Sequence, residues 1–187
     1  MSHETSELNY IAVEGVIGVG KTSFARLLAE RLEATLVNEE VFDNPFLVDF
    51  YKNRTRYALS CQLFFLISRF QQQQQLMVRD LFAQRVVADY LFAKDSIFAS
   101  VNLSERELAL YSRIAPVLAR DIPKPDLVIY LQASTSVLLD RIRSRNVTFE
   151  KSIDIEYVEG LNKAYDYYFF HYTETPLLVV KTDDIDF

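Results

Sequence analysis

The stretch Tyr10-Ile11-Ala12-Val13-Glu14-Gly15-Val16-Ile17-Gly18-Val19-Gly20-Lys21-Thr22-Ser23 decides the fold. Residues 15–22 fit G-x-x-x-x-G-K-[ST], the phosphate-binding P-loop, and three of the chain's four glycines fall within it. Glycines let the backbone wrap close to phosphate oxygens where a side chain would clash or forbid the required φ. The context agrees. Tyr10–Val13 reads as a buried strand, and Ser23-Phe24-Ala25-Arg26-Leu27-Leu28-Ala29 as the first turns of a helix. Loop N–H groups and the helix N-terminus would then face an anion, Lys21 would add positive charge, and the Thr22 hydroxyl would reach Mg²⁺. Gly15, Gly18, Val19, Gly20, Lys21, Thr22 and Ser23 are therefore the candidate nucleotide-binding residues.

With 187 residues, half of them hydrophobic and a quarter charged, the chain reads as one domain, residues 1–187, with a single core. A net charge of −6 argues against a DNA or RNA polymer as partner, because such binders carry a basic surface. A small phosphorylated ligand that brings its own Mg²⁺ is compatible with that charge. Cys61 is the single cysteine, so no intramolecular disulfide forms, and its apolar helical surroundings predict a buried, inert thiol. Residues 1–9 are polar and acidic, unlike a signal or transit peptide. No run of about 18 apolar residues predicts a membrane span. A cytoplasmic protein is expected.

Strands and helices alternate along the chain. Thr35–Asn38 is a short strand candidate, and Asn44-Pro45 turns into a short helix carrying Phe46, Leu47, Phe50 and Tyr51. From Thr55 to about Phe82 there is neither Gly nor Pro, and apolar residues recur at helical spacing, which predicts one long helix. Its run Gln71–Gln75 reads as a solvated face. Arg85–Asp89 predicts a third strand ending in a carboxylate. Ser104-Glu105-Arg106-Glu107 fits a capping box opening another helix. Beyond Pro123 and Pro125 come a strand at Leu127–Leu131, a helix at about Ser136–Ser144, a charged segment to Lys151, a helix to about Phe170 and a strand at Leu177–Val180. This order predicts an α/β fold, a parallel sheet of about five strands with helices on both faces.

A P-loop alone does not separate kinases, ATPases, GTPases and motors. The guanine-reading Asn-Lys-x-Asp is absent; Asn162-Lys163-Ala164-Tyr165 lacks the Asp. A chain this short suits a compact transferase with a small acceptor. Such an enzyme needs a carboxylate near the acceptor hydroxyl, an acidic Mg²⁺ partner, cations around the phosphoryl group and an acceptor pocket. Glu39 after the second strand and Asp89 at the end of the third are placed to reach the P-loop's end of the sheet. Solvated loop acids are the alternative for both. Arg141, Arg143 and Arg145 with Glu150 suit either a lid over about 143–152 or a charged helix end. Gln62 and Arg69 lie seven residues apart, two turns along one helix face. A Gln amide offers both a donor and an acceptor to a base edge, and a plain polar stripe has the same spacing.

Taken together these residues resemble the deoxynucleoside kinase family, particularly its bacterial purine deoxynucleoside members. The matching series is the P-loop; Glu39-Glu40-Val41 with Asn44-Pro45-Phe46-Leu47; Gln62-Leu63-Phe64-Phe65-Leu66-Ile67-Ser68-Arg69; Asp89-Tyr90 with Ile97-Phe98-Ala99; Pro123-Lys124-Pro125-Asp126; and Arg141-Ile142 with Phe149-Glu150-Lys151. The resemblance implies a P-loop kinase fold with an Arg-bearing lid. It implies that Glu39 is the base for a deoxyribose 5′-OH, that Tyr51 and Glu150 hold the 3′-OH, and that Gln62, Arg69 and Asp95 recognise the nucleobase. Lys21, Arg141 and Arg145 would stabilise phosphates, Thr22 and Asp89 would serve Mg²⁺, and Phe42, Phe65 and Phe92 would supply apolar walls. Two positions depart from the pattern: Tyr90 stands where many members have Arg, and Arg145-Asn146-Val147 replaces Arg-Gly-Arg in the lid. Arg143 and Lys94 are the candidate replacements for the first cation, and Arg143 for the second.

The implied activity is ATP-dependent, Mg²⁺-assisted phosphorylation of a 2′-deoxynucleoside at its 5′-OH in nucleotide salvage. Arg69 with Asp95 suits deoxyadenosine or deoxyguanosine, then deoxycytidine. Two alternatives stand beside it: a nucleoside monophosphate kinase or other small-molecule P-loop kinase, and a non-catalytic nucleotide-binding regulatory subunit. The family also implies a homodimer, or a heterodimer with a related kinase subunit.

Overall fold

The computed structural model describes residues 8–41, 43–78 and 85–185. β1 (Tyr10–Gly15) is buried at all six positions, as its continuous apolar run requires of a strand covered on both faces. Five parallel strands form one sheet in the order β2 (Thr35–Val37), β3 (Val86–Ala88), β1, β4 (Leu127–Gln132), β5 (Leu177–Lys181). The chain leaves β1 towards β2 and β3, then crosses back from β3 to β4 on the other side. β1 and β3 therefore flank the point where the winding reverses, and a crevice opens beyond their carboxyl ends.

Among the described residues seven α-helices accompany the sheet: α1 (Lys21–Leu32), α2 (Leu47–Lys52), α3 (Arg54–Val78), α4 (Lys94–Asn102), α5 (Glu105–Ala119), α6 (Thr135–Ser144) and α7 (Ile155–Phe170). A short 3₁₀ helix at Thr148–Ser152 lies in the expected lid. The core gathers Ile11, Val13, Val87, Ile129 and Leu131 of the strands with Leu66, Leu138, Leu161 and Tyr165 of the helices. At the start of the sheet Asp126 accepts the backbone N–H groups of Asn9 and Tyr10, both at 2.8 Å. The capping box opens α5 as expected: Glu107 accepts the Ser104 N–H at 2.9 Å.

The structure adds one helix that the sequence reading did not name and changes one expectation. α4 carries no side-chain cap at its start and spans nine residues, so neither a start signal nor a long periodic pattern marked it in the sequence. Gln71–Gln75 is not wholly a solvated face, because Gln73 is fully buried. Its amide nitrogen donates to the Tyr10 hydroxyl at 3.2 Å and the Tyr90 hydroxyl at 3.1 Å, fastening α3 to the sheet. The long helix is described only to Val78; Phe82, its expected end, lies outside the described residues. No helix among those described is long and apolar enough to cross a membrane.

Candidate active site

β1 delivers the P-loop to the crevice. Gly20 at the entrance to α1 has φ 102°, and Gly18 has φ 88° with the backbone of Leu138 so near that a Cβ would sit 2.8 Å from its carbonyl oxygen. Only glycine fits both the backbone angle and the close approach. α1 begins with no side-chain cap and no acid in its first turn, which leaves its orphan N–H groups for an anion. Lys21 is buried over the loop and donates to the carbonyls of Gly15 at 2.7 Å and Val16 at 3.2 Å. Burial, then the neighbouring Lys94, pulls its ammonium down to about 8.

β3 and β2 bring the acids. Asp89 follows β3, and its two carboxylate oxygens accept the Thr22 hydroxyl and the Glu39 backbone N–H, each at 2.7 Å. Hard oxygens from Thr22 and Asp89 at the mouth of a phosphate loop fit Mg²⁺, which usually binds through one or two protein oxygens and keeps its other places for water and substrate phosphate. Among the described residues no group of three or more His, Cys, Asp or Glu side chains gathers as a closed metal cage would.

Glu39, just past β2, sits at the seam between the P-loop and a cavity of about 630 Å³. Arg69 of α3 donates to its Oε1 from Nε at 2.9 Å and from Nη2 at 2.5 Å, and Lys94 of α4 donates to Oε2 at 2.5 Å. Burial alone would raise the carboxyl's pKa; Lys94 and Arg69 outweigh it and bring it down to about 2. Glu40 is exposed.

The far end of the cavity carries the polar set read from α3. Asp95 is buried and ion-paired with Arg69, and it accepts Gln62 Nε2 at 2.6 Å and the Tyr111 hydroxyl. Burial pushes the Asp95 carboxyl up against the opposing pull of Arg69, Gln62 and Tyr111. Gln62 also donates to the Asp95 carbonyl at 2.8 Å through the same nitrogen, and it lines the cavity. Phe65 stacks under Arg69, its ring 4.9 Å from the guanidinium carbon. At the lid side Tyr51 stacks on Phe149 at 5.5 Å. Glu150 lies there with Oε1 3.6 Å from Arg145, while its buried Oε2 has no hydrogen-bond partner among the described residues. A buried, unpartnered carboxylate oxygen beside a cavity is a place for a ligand donor. Burial raises its pKa, opposed by Arg145 and Lys21.

The cavity thus unites Lys21, Thr22, Glu39, Asp89, Tyr51 and Gln62 with Phe65, Arg69, Arg145 and Glu150, and Asp95 backs it. Arg141 is placed differently. Its guanidinium donates to the carbonyls of Val19 at 3.2 Å, Thr182 at 2.7 Å and Ile185 at 2.6 Å, clamping the P-loop to the segment after β5. Phe92 lines a separate cavity, and Phe98 occupies the wall instead. Phe42 lies outside the described residues. Arg143 is 73% exposed with Asp140 at 4.0 Å, so it replaces neither missing cation here.

Sequence reading passed over Glu14. This fully buried carboxylate accepts the N–H groups of Gly15 and Leu91, both at 2.8 Å, and the Tyr165 hydroxyl at 3.2 Å. An acid inside an otherwise apolar strand was the available signal.

The family model for deoxynucleoside kinase matches residues 11–187. The chain belongs to the deoxynucleoside kinase family. It is similar to deoxyguanosine kinase of Bacillus subtilis (strain 168), 39% identical over 95% of this chain and 86% of that protein. It is also similar to deoxyadenosine kinase of Dictyostelium discoideum, 38% identical over 85% of this chain and 66% of that protein. The solved structure of deoxyadenosine kinase from M. mycoides with bound dATP superposes with a TM-score of 0.84, at 26% identity over 95% of this chain and 92% of that one. The five-stranded sheet with its P-loop is thus the fold of a deoxynucleoside kinase, a phosphotransferase.

Proposed function

We propose that this deoxynucleoside kinase transfers the γ-phosphoryl group of ATP to the 5′-OH of a purine deoxynucleoside. The observation that carries the reading is Glu39 at the seam, with the P-loop on one side and the Gln62–Arg69–Asp95 set on the other. The nucleoside lies along the cavity with its base at Gln62 and its 3′-OH donating to Glu150 beside Tyr51. That pose points the 5′-OH at Glu39. The P-loop N–H groups and Lys21 hold the donor phosphates, and Arg145 approaches from the lid at 143–152. Mg²⁺, when bound at Thr22 and Asp89, neutralises phosphate charge.

Glu39 orients the acceptor hydroxyl and takes its proton as the new P–O bond forms. A carboxylate held near 2 is a weak base. The loose transition state of phosphoryl transfer places more weight on position than on basicity, which suits it. An acceptor with an Arg–Asp pair and a Gln amide oxygen before it meets donors and acceptors together, the pattern of a purine edge. The relatives named for deoxyguanosine and deoxyadenosine support the same choice.

Glu39→Gln keeps the shape and removes the proton acceptor. Its kcat should fall by roughly 10²–10⁴-fold while ATP affinity, measured by calorimetry, stays within a few-fold of wild type. Turnover close to wild type would remove Glu39 from this role. The assembly proposed with this reading is a homodimer, or a pairing with a related kinase subunit, in the cytoplasm. Light scattering on the purified chain measures its oligomeric state.

A further inference from the structure

We infer that Lys94 is the positioning residue for Glu39, the cation that fixes the carboxylate oxygen facing away from Arg69. The inference rests on the functional reading above and adds a residue to it. Lys94 is an unusual choice for its place. It opens α4 behind Ala93, where the positive end of the helix dipole disfavours a cation. Its side chain is 9% exposed, and burying an ammonium is costly unless a partner meets it closely. A buried ion pair replaced whole by apolar groups often holds a fold as well or better, so stability alone does not account for a charge here. The ring of Phe98 passes 5.8 Å from Nζ and would accept a Met or Leu beside it, whereas two buried carboxylates feel the ammonium's charge: Glu39 in direct contact and Glu14 without a hydrogen bond to it.

Glu39 is the carboxylate that Lys94 touches. Arg69 grips Oε1 through two nitrogens, which leaves the carboxylate free to swing about that oxygen; Lys94 at 2.5 Å from Oε2 stops it. The carboxylate plane is therefore set by two cations from two different helices. The Glu39 N–H, held by Asp89 at 2.7 Å, fixes the backbone beneath it. Tyr90, where the motif called for a cation, gives none: it is fully buried, and its hydroxyl is taken by Gln73. Lys94 lies four residues on, at the start of α4, and reaches the seam that Tyr90 does not.

Steady-state kinetics with ATP, Mg²⁺ and deoxyadenosine or deoxyguanosine test this on wild type, Lys94→Met and Lys94→Arg. The Met variant should lose about 10²-fold in kcat while both KM values change less than about threefold, because orientation at the transition state is lost and ground-state binding is not. The Arg variant should recover at least about tenfold over Met. Should Lys94→Met fail to fold, Lys94→Gln is judged by the same criteria, with melting temperature as the folding check. A kcat loss under about tenfold, a loss carried by KM, or an Arg variant no better than Met would overturn the inference. Wild-type enzyme that phosphorylates no deoxynucleoside overturns the functional reading itself. Active wild type with an indifferent Lys94 overturns only this step.

Discussion

At the scale of single residues, the site shows one atom without a partner and one group without a use. The atom is Glu150 Oε2, buried beside Tyr51 and unpartnered among the described residues; in the proposed pose a sugar hydroxyl supplies the donor it lacks. The group is the Cys61 thiol, buried on α3. Burial pushes it up to about 12, with an Asn44 hydrogen bond opposing. A thiol whose pKa rises from 9.0 to about 12 keeps about 10³-fold less thiolate at pH 8. Labelling of native protein by a disulfide reagent at pH 8 should therefore be slower than that of urea-unfolded protein by about that factor, and rise with pH through the alkaline range. Equal rates would mean that the thiol is neither buried nor raised.

At the scale of elements, α3 does two jobs at two heights along one stripe. Gln62 and Arg69 look into the cavity, whereas Gln73 looks to the sheet and holds two buried hydroxyls. Gln73→Leu removes those hydrogen bonds and leaves the hydroxyls of Tyr10 and Tyr90 unsatisfied, a cost of about 1–3 kcal/mol. In a chain of this size the melting temperature should fall by several degrees, about 2–4 °C per kcal/mol. An unchanged melting curve would refute that role. This helix also shows what the sequence could reveal. Its length, and the seven-residue spacing of Gln62 and Arg69, are local facts written in one stretch. Gln73 sits in a run of five glutamines, where helical spacing from Leu66 and Arg69 marks it as the inward one, but its partners Tyr10 and Tyr90 lie 63 and 17 residues away. The same limit hid Glu14, whose partner Tyr165 is 151 residues away, and the grip of Lys94 on Glu39, 55 residues away. Motifs with their chemistry in one segment were legible. Contacts made by the folding of the sheet were not.

At the scale of the whole molecule, winding reversal between β1 and β3 explains why the site is where it is. Three neighbouring strand ends, β1, β3 and β2, deliver the P-loop, Asp89 and Glu39 to one crevice. The helices α2, α3 and α4 wall the acceptor side, and the segment after α6 covers it. In the proposed reading the donor and acceptor halves meet at Glu39, which makes the identity of the acceptor the central claim. The direct measurement is transfer of label from γ-labelled ATP, with Mg²⁺, to each of the four deoxynucleosides and to their 5′-monophosphates. The account predicts label at the 5′ position of deoxyadenosine or deoxyguanosine, with deoxycytidine next and the monophosphates unlabelled. Label passing to the monophosphates but not the nucleosides, preference for thymidine, or ATP bound with no transfer would contradict it.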